Sequence, residues 1–364
     1  MARFEWKRAV IKVGSSLIAP NNQCSTLYLA AIARFINESH KQGKEVILVS
    51  SGSVAAGRSK IAYKHRPSIA EKQAMAAIGQ MHMMANWTSL FECDCAQILL
   101  TADDLHNRTR YVNIKNTLRE LLKNNALPIV NENDTVATAE LKVGDNDNLA
   151  AYTALVAQAD TLIICSDIDG LYDADPRNNP QATLIKEVLE ITPEIHQLAG
   201  GAGSSVGTGG MRTKIQAAEK CVKSGIQTLI VNGREASVFE ALAKGELTGT
   251  LFVPHQSRQR ARDMWLKHSL LTKGSIVVDE GAKRALTDKG ASLLPSGIVA
   301  VVGNFVAGEA VNIECNQAVI AKGLVLYNAA DLANIKGLKS SLIEATLGFS
   351  VGEAAVHRDD LVLM

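Results

Sequence analysis

Short apolar runs rich in Val, Ile and Leu recur from residue 9 to about residue 250, and longer stretches with apolar residues at helical spacing separate them. Runs this short, apolar at every position, read as strands buried on both faces of a parallel sheet. They lie at residues 9–13, 45–49, 127–130, 161–165 and 227–231. The intervening patterns predict helices over 26–41, 69–91, 110–124, 148–159 and 211–224. The alternation therefore predicts an α/β fold, a mostly parallel open sheet with helices on both faces and right-handed crossovers. In such sheets ligands gather beyond the carboxyl ends of the strands, so chemistry is sought in the residues that follow each run.

Near residue 250 the alternation stops. Arg258, Arg260 and Arg262, spaced two apart before Trp265, mark a linker over 251–273. After Gly274 the texture changes to short strands, glycine turns and one brief helix over 280–288. The expected organisation is a first domain at 1–250 and a small β-rich domain at 274–364. A chain of 364 residues with 47% hydrophobic content is long enough to fill two cores.

Charge and cysteine usage remove several classes. Lys plus Arg number 38 against 37 Asp plus Glu, without the basic excess of a general nucleic-acid binder. Six cysteines, of which only Cys93 and Cys95 are close, outline neither a zinc ligand set nor a disulfide framework. The start, Met-Ala-Arg-Phe-Glu-Trp-Lys-Arg, lacks the apolar core of a signal peptide. Glycines and Pro295 chop the longest charge-free stretch, 290–308, too finely for a membrane span. The expectation is a reduced, cytoplasmic protein with no membrane partner.

The strand ends carry the candidate chemistry. Ile11-Lys12-Val13-Gly14-Ser15-Ser16 puts an ammonium and close-approach backbone at one terminus, which alone is equally an ordinary solvated strand end. Ser50-Ser51-Gly52-Ser53 is either an anion-binding turn or a plain N-cap. Asn131-Glu132-Asn133-Asp134 and Gly144-Asp145-Asn146-Asp147-Asn148 form a dense polar cluster. It is not a calcium loop, because Ala150 and Val156 fall where glycine and a bidentate glutamate are needed. Ser166-Asp167 follows the fourth strand and fits the edge of a nucleotide site. The strongest phosphate signal is Gly207-Thr208-Gly209-Gly210-Met211-Arg212-Thr213-Lys214, a glycine-rich loop opening a helix, with a lysine at its end. No glycine precedes Lys214, so it is not a Walker loop. Two lysines with acids between them suit in-line phosphoryl transfer, which asks for charge neutralisation and positioning. A carboxylate nucleophile with a pKa near ~4.3 is already ionised at neutral pH, so none of the eight histidines is required as a base.

Taken together, these motifs, with Lys142-Val143-Gly144 and Gly170-Leu171-Tyr172 followed by Asp175-Pro176, resemble the amino acid kinase family over nearly the whole chain. The resemblance implies ATP-dependent phosphorylation of an amino-acid side-chain carboxylate, that of L-glutamate, at the entry to proline synthesis. It implies that Lys12 and Lys214 hold the ATP phosphates and the migrating phosphoryl group while Asp147 orients both ammonium groups. Ser51, Gly52, Asn131, Asp134, Asp145 and Asn146 would bind glutamate; Lys12, Ser166, Asp167 and Thr208, Gly209, Gly210, Met211, Arg212, Thr213 and Lys214 would line the nucleotide site. Mg2+ would bridge the phosphates, with no protein ligand assigned. Proline is expected as an inhibitor, a dimer or tetramer as the assembly, and a glutamyl phosphate reductase as a partner. Ser53 stands where the family more often has alanine, and Ser166 where it often has threonine. Acetylglutamate, aspartate, carbamate and UMP are rival acceptors within the family. The C-terminal segment, with Ser292-Leu293-Leu294-Pro295-Ser296-Gly297, resembles the PUA domain. Its 7 Lys/Arg against 10 Asp/Glu are the wrong balance for an RNA backbone, so RNA is not the expected partner.

Overall fold

The computed structural model describes residues 4–61, 65–137, 146–199, 210–257, 263 and 271–364. The chain divides into two compact units, Met1–Leu105 with Lys115–Arg258, and His106–Ile114 with Gln259–Met364.

The first unit is built on β1 (Arg8–Val13), β2 (Glu45–Ser50), β3 (Cys95–Leu100), β4 (Leu127–Glu132), β5 (Thr161–Ser166), β6 (Glu187–Val188), β7 (Gln227–Asn232) and β8 (Thr250–Phe252). Its helices are α1 (Ser15–Ile18), α2 (Leu29–Lys41), α3 (Ser53–Arg58), α4 (Ile69–Thr88), most of α5 (Ala102–His106), the part of α6 (Arg108–Lys123) from Lys115 on, α7 (Asn146–Val156), α8 (Pro193–Leu198), α9 (Met211–Lys223) and α10 (Ala236–Ala243). The strands make one sheet in the order β3-β4-β2-β1-β5-β7-β8-β6, parallel throughout except where β8 runs against β7. All five predicted strands and all five predicted helices are present, with ends shifted by a few residues. The runs that predicted β1, β4 and β5 are β-branched and apolar because those strands are covered on both faces. β3 escaped prediction for the opposite reason: as an edge strand it is only half-buried and lacks a continuous apolar run. β8 extends to Phe252, past the expected boundary at 250, and the linker around Trp265 lies outside the described residues.

Alternation along β1 sorts the faces. Ala9, Ile11 and Val13 join the core that α2 and α10 cover through Ile32, Phe35, Phe239 and Leu242. Val10 and Lys12 point to the opposite face, where α7 packs against β1 and β5, and α9 against α7, β5 and β7. Ala150, Ala151 and Ala154 are fully buried, and these small side chains let α7 lie close to the sheet. The chain leaves β1 toward β2 on one side and later leaves β5 toward β7 on the other, so β1 and β5 flank a topological switch point.

The contact between α3 and α4 is backbone against backbone. A Cβ added at Gly79 would lie 1.8 Å from the Ser53 carbonyl oxygen, and one added at Gly57 would lie 1.9 Å from that of Met75. Gly79→Ala is expected to lower stability by about 1–3 kcal/mol through overpacking. A denaturant midpoint unchanged from the parent would refute this.

The second unit holds a five-stranded sheet in the order β10-β9-β11-β12-β13. Its strands are β9 (Thr272–Val278), β10 (Ile298–Gly303), β11 (Ala310–Cys315), β12 (Ala318–Val325) and β13 (Val356–Leu363). Among the described residues after Gly274, α11 (Glu280–Lys289), α12 (Ala329–Ile335) and α13 (Ile343–Leu347) accompany them, where the sequence pattern predicted one helix. α11 is the predicted one; Asp279 caps it, accepting from the Ala282 amide at 2.7 Å. Among the described residues no helix is long and apolar enough to cross a membrane.

Candidate active site

Where β1 ends, Gly14 donates its amide to the Cys165 carbonyl of β5 at 3.1 Å and caps α1. Where β2 ends, Gly52 takes a left-handed φ of 90° and opens α3. A Cβ at Gly52 would sit 3.2 Å from that of Ile18 and 3.3 Å from the Ser15 Cα, so glycine is needed both for the angle and for bringing the two loops together. α7 begins at Asn146 and α9 is capped by Gly210, neither α1, α3 nor α9 having a side-chain cap. First-turn amides of several helices thus meet at the carboxyl edge of the sheet, a positive rim suited to an anion.

At its centre is a buried ionic triad. Lys12 Nζ lies 2.6 Å from Asp147 Oδ1, and Lys214 Nζ lies 3.2 Å from Asp147 Oδ2. The Thr213 hydroxyl is 2.8 Å from Asp147 Oδ2 and 2.8 Å from the Gly210 carbonyl oxygen. Asp147 is 0% exposed, Lys214 4% and Lys12 6%. Burial alone would raise the Asp147 carboxyl pKa, but the ammonium groups of Lys12 and Lys214, with hydrogen bonds from Lys12 and Thr213, hold it well below the usual carboxylate range. Two cations about one anion leave a net positive charge aimed at whatever fills the crevice. Lys214 and Arg212 sit in the first turn of α9 with no acidic residue there. Cations there oppose the helix dipole by about 0.3–1 kcal/mol each, a local cost that an anionic ligand reverses.

Toward β4 the polar residues are amides. Asn146 Nδ2 donates to the Ser50 carbonyl at 2.7 Å and to Asn131 Oδ1 at 2.9 Å. Asn131, 1% exposed, donates to Gln80 Oε1 at 2.8 Å, and Gln80 donates to Gln97 at 3.0 Å. The Ser53 hydroxyl donates to Asp134 Oδ2 at 2.6 Å, so this serine holds a carboxylate predicted to meet substrate. The Ser51 hydroxyl is buried and has no hydrogen-bond partner among the described residues.

Toward β7 lie the residues predicted for the nucleotide. Ser166 Oγ is 3.2 Å from Asp167 Oδ1, and Asp167 is 3.7 Å from Arg234. Asn232 donates to Asp169 at 2.9 Å, tying the loop after β7 to the loop after β5. Met211 and Thr213 are half-buried and Arg212 is exposed, while the space beyond Gly210 is open. Asp145, Thr208 and Gly209 lie outside the described residues. Strand order thus sets the predicted acceptor residues at β4 and β2, the lysine pair at β1, and the predicted nucleotide residues at β5 and β7. Sequence reasoning did not single out Gln80, Gln97, Asn232 or Arg234. Asn-Gly-Arg at the end of β7 was a signal for the last two; Gln80, inside a helical pattern, offered none.

Among the described residues no group of three His, Cys, Asp or Glu side chains could hold a metal ion, and Asp147 is committed to two lysines. The Cys165 thiol, beneath the site on β5, is pushed up to about 12 by burial and is no nucleophile at neutral pH.

Residues 7–232 match the model of the amino acid kinase family, and residues 274–347 match the PUA domain. A protein of Idiomarina loihiensis named glutamate 5-kinase is 52% identical over 363 residues, covering 99% of this chain and 98% of its own. One of the same name from Salinibacter ruber is 53% identical over 370 residues, with 99% and 98% covered. One from Xanthomonas campestris pv. campestris is 49% identical over 362 residues, with 98% and 100% covered. Among solved structures, the UMP kinase of Bacillus anthracis is 16% identical at a TM-score of 0.48, covering 69% of this chain and 97% of its own.

Proposed function

This chain belongs to the amino acid kinase family, and from that premise we propose that it transfers the terminal phosphoryl group of ATP to the side-chain carboxylate of L-glutamate, forming L-glutamyl 5-phosphate. The observation that carries this reading is the buried pair of lysines sharing Asp147 at the switch point, between the chain of amides toward β4 and the loops after β5 and β7.

The substrate carboxylate is ionised at neutral pH and needs no base. One of its oxygens forms the new bond to the γ-phosphorus as the bond to the β,γ-bridging oxygen breaks. ADP departs with that electron pair, and no proton changes hands. Lys12 and Lys214 neutralise the charge spread over the phosphoryl oxygens, and Asp147 holds both ammonium groups in place before the reactants meet. Ser51, Gly52, Asn131, Asp134, Asp145 and Asn146 bind glutamate in this reading. Ser166, Asp167 and the segment from Thr208 to Lys214 bind the nucleotide. Magnesium enters as the chelate of ATP, part of the substrate, and no step is assigned to a protein-bound metal.

A hydroxylamine trap for acyl phosphate, with L-glutamate, acetylglutamate and aspartate offered separately, tests the acceptor. The expected colour develops with glutamate only; equal product from either rival would overturn the choice. Proline synthesis is the downstream use, with proline as a feedback inhibitor that raises the apparent KM for glutamate in the same assay. A homo-oligomer and delivery of the unstable product to a glutamyl phosphate reductase belong to the same proposal. So does the division into a catalytic domain and a PUA-like domain, from about residue 274, with a structural or regulatory task.

A further inference from the structure

We infer that Gln80 is a positioning residue: it holds Asn131 with Oδ1 toward Asn146, and so backs the orientation that the Ser50 carbonyl selects, in which Asn146 presents an oxygen to the α-ammonium group of the acceptor. This rests on the glutamate reading above. Four amides from four elements form one chain, Gln97 on β3, Gln80 on α4, Asn131 on β4 and Asn146 on α7. The orientation of an amide is ordinarily ambiguous, but here a backbone group settles it. The Ser50 carbonyl can only accept, so Asn146 must turn Nδ2 toward it, and the other hydrogen of Nδ2 then goes to Asn131 Oδ1. Asn131 is left with Nδ2 facing Gln80, which must answer with Oε1. Every link runs in the same sense, and the polarity ends on Asn146 Oδ1, for which the described residues supply no donor.

An amide carbonyl oxygen left without a donor calls for a group that carries a hydrogen. The two carboxylates of glutamate and the phosphates of ATP offer none at neutral pH, whereas the α-ammonium offers three. In the reading above, the ribose and adenine donors belong with the nucleotide residues after β5 and β7. Gln97 is exposed and free to turn, so Gln80, 8% exposed, is the last link that holds the sense of the chain. Without an acceptor at position 80 the buried Asn131 Nδ2 has no partner, and the drive to rotate it sets it against Asn146.

The test is Gln80→Met, which keeps the volume but removes the strong acceptor, against Gln80→Glu, which keeps an acceptor for Asn131 and lets exposed Gln97 turn to donate. Glutarate, glutamate without its amine, serves as a competitive inhibitor. In Gln80→Met the KM for glutamate is expected to rise about tenfold, while the KM for ATP, kcat and the glutarate Ki stay within about twofold; Gln80→Glu restores the glutamate KM. A glutamate KM within twofold of the parent in a folded Gln80→Met protein overturns the inference. So does a glutarate Ki that rises in step with that KM, or a folded Gln80→Glu protein that fails to recover. Failure of the parent enzyme to phosphorylate glutamate would instead sink the reading beneath it.

Discussion

Asp147→Asn is expected to lower kcat by about 10²–10³, the range for losing one preorganised electrostatic group, and to destabilise the fold by about 3–5 kcal/mol, as when a buried ion pair loses one member. The substitution keeps the shape but removes the carboxylate charge that the Lys12 and Lys214 ammonium groups, 6% and 4% exposed, share. ATP should therefore raise the melting temperature of the variant more than that of the parent, because its phosphates replace the missing charge. The pH dependence follows from the depressed carboxyl of Asp147. A group whose pKa is lower folded than unfolded adds stability that is complete above its unfolded value, near ~3.9, and lost as pH falls toward the folded value. The stability gap between parent and variant should stay flat from neutral pH to about 4 and close below it. A variant within threefold of parental kcat would remove Asp147 from the catalytic arrangement.

The legible parts of this molecule are those where local and global demands agree. Ile11 and Val13 are β-branched because β1 is covered on both faces, and the run announces the strand without further knowledge. Lys12 and Lys214 were legible as candidates because charged residues beside glycine, at a strand end and at a helix start, contradict the apolar texture around them. Their meeting at Asp147 was expected from the family resemblance alone, since the order β2-β1-β5 sets it and periodicity carries no strand order. Gln80 shows the other limit. On α4 it occupies a position that any helix former could fill, and its meaning comes from Asn131 and Asn146 on elements remote in sequence. Ser53 looked like a neutral departure from alanine, yet only the close approach of α3 to α4 and the turn after β4 give its hydroxyl a carboxylate to hold.

Lys214→Ala separates catalysis from stability. Removing this ammonium takes away one of two cations that neutralise the migrating phosphoryl group, and kcat should fall about 10³ or more. Asp147 keeps Lys12 at 2.6 Å and the Thr213 hydroxyl at 2.8 Å, so its charge is not stranded. The first turn of α9 sheds a cation that opposed its dipole, which offsets part of the packing lost with the buried lysine stem. The stability loss should therefore be smaller than in Asp147→Asn, even though activity suffers at least as much. The KM for glutamate should move less than threefold, because the chain of amides lies on the β4 and β2 side, away from α9. Steady-state kinetics with both substrates, alongside denaturant curves for the two variants, decide the matter. A Lys214→Ala protein that loses more stability than Asp147→Asn while retaining a tenth of parental kcat would show that Lys214 serves the fold and leaves the phosphoryl group to other residues.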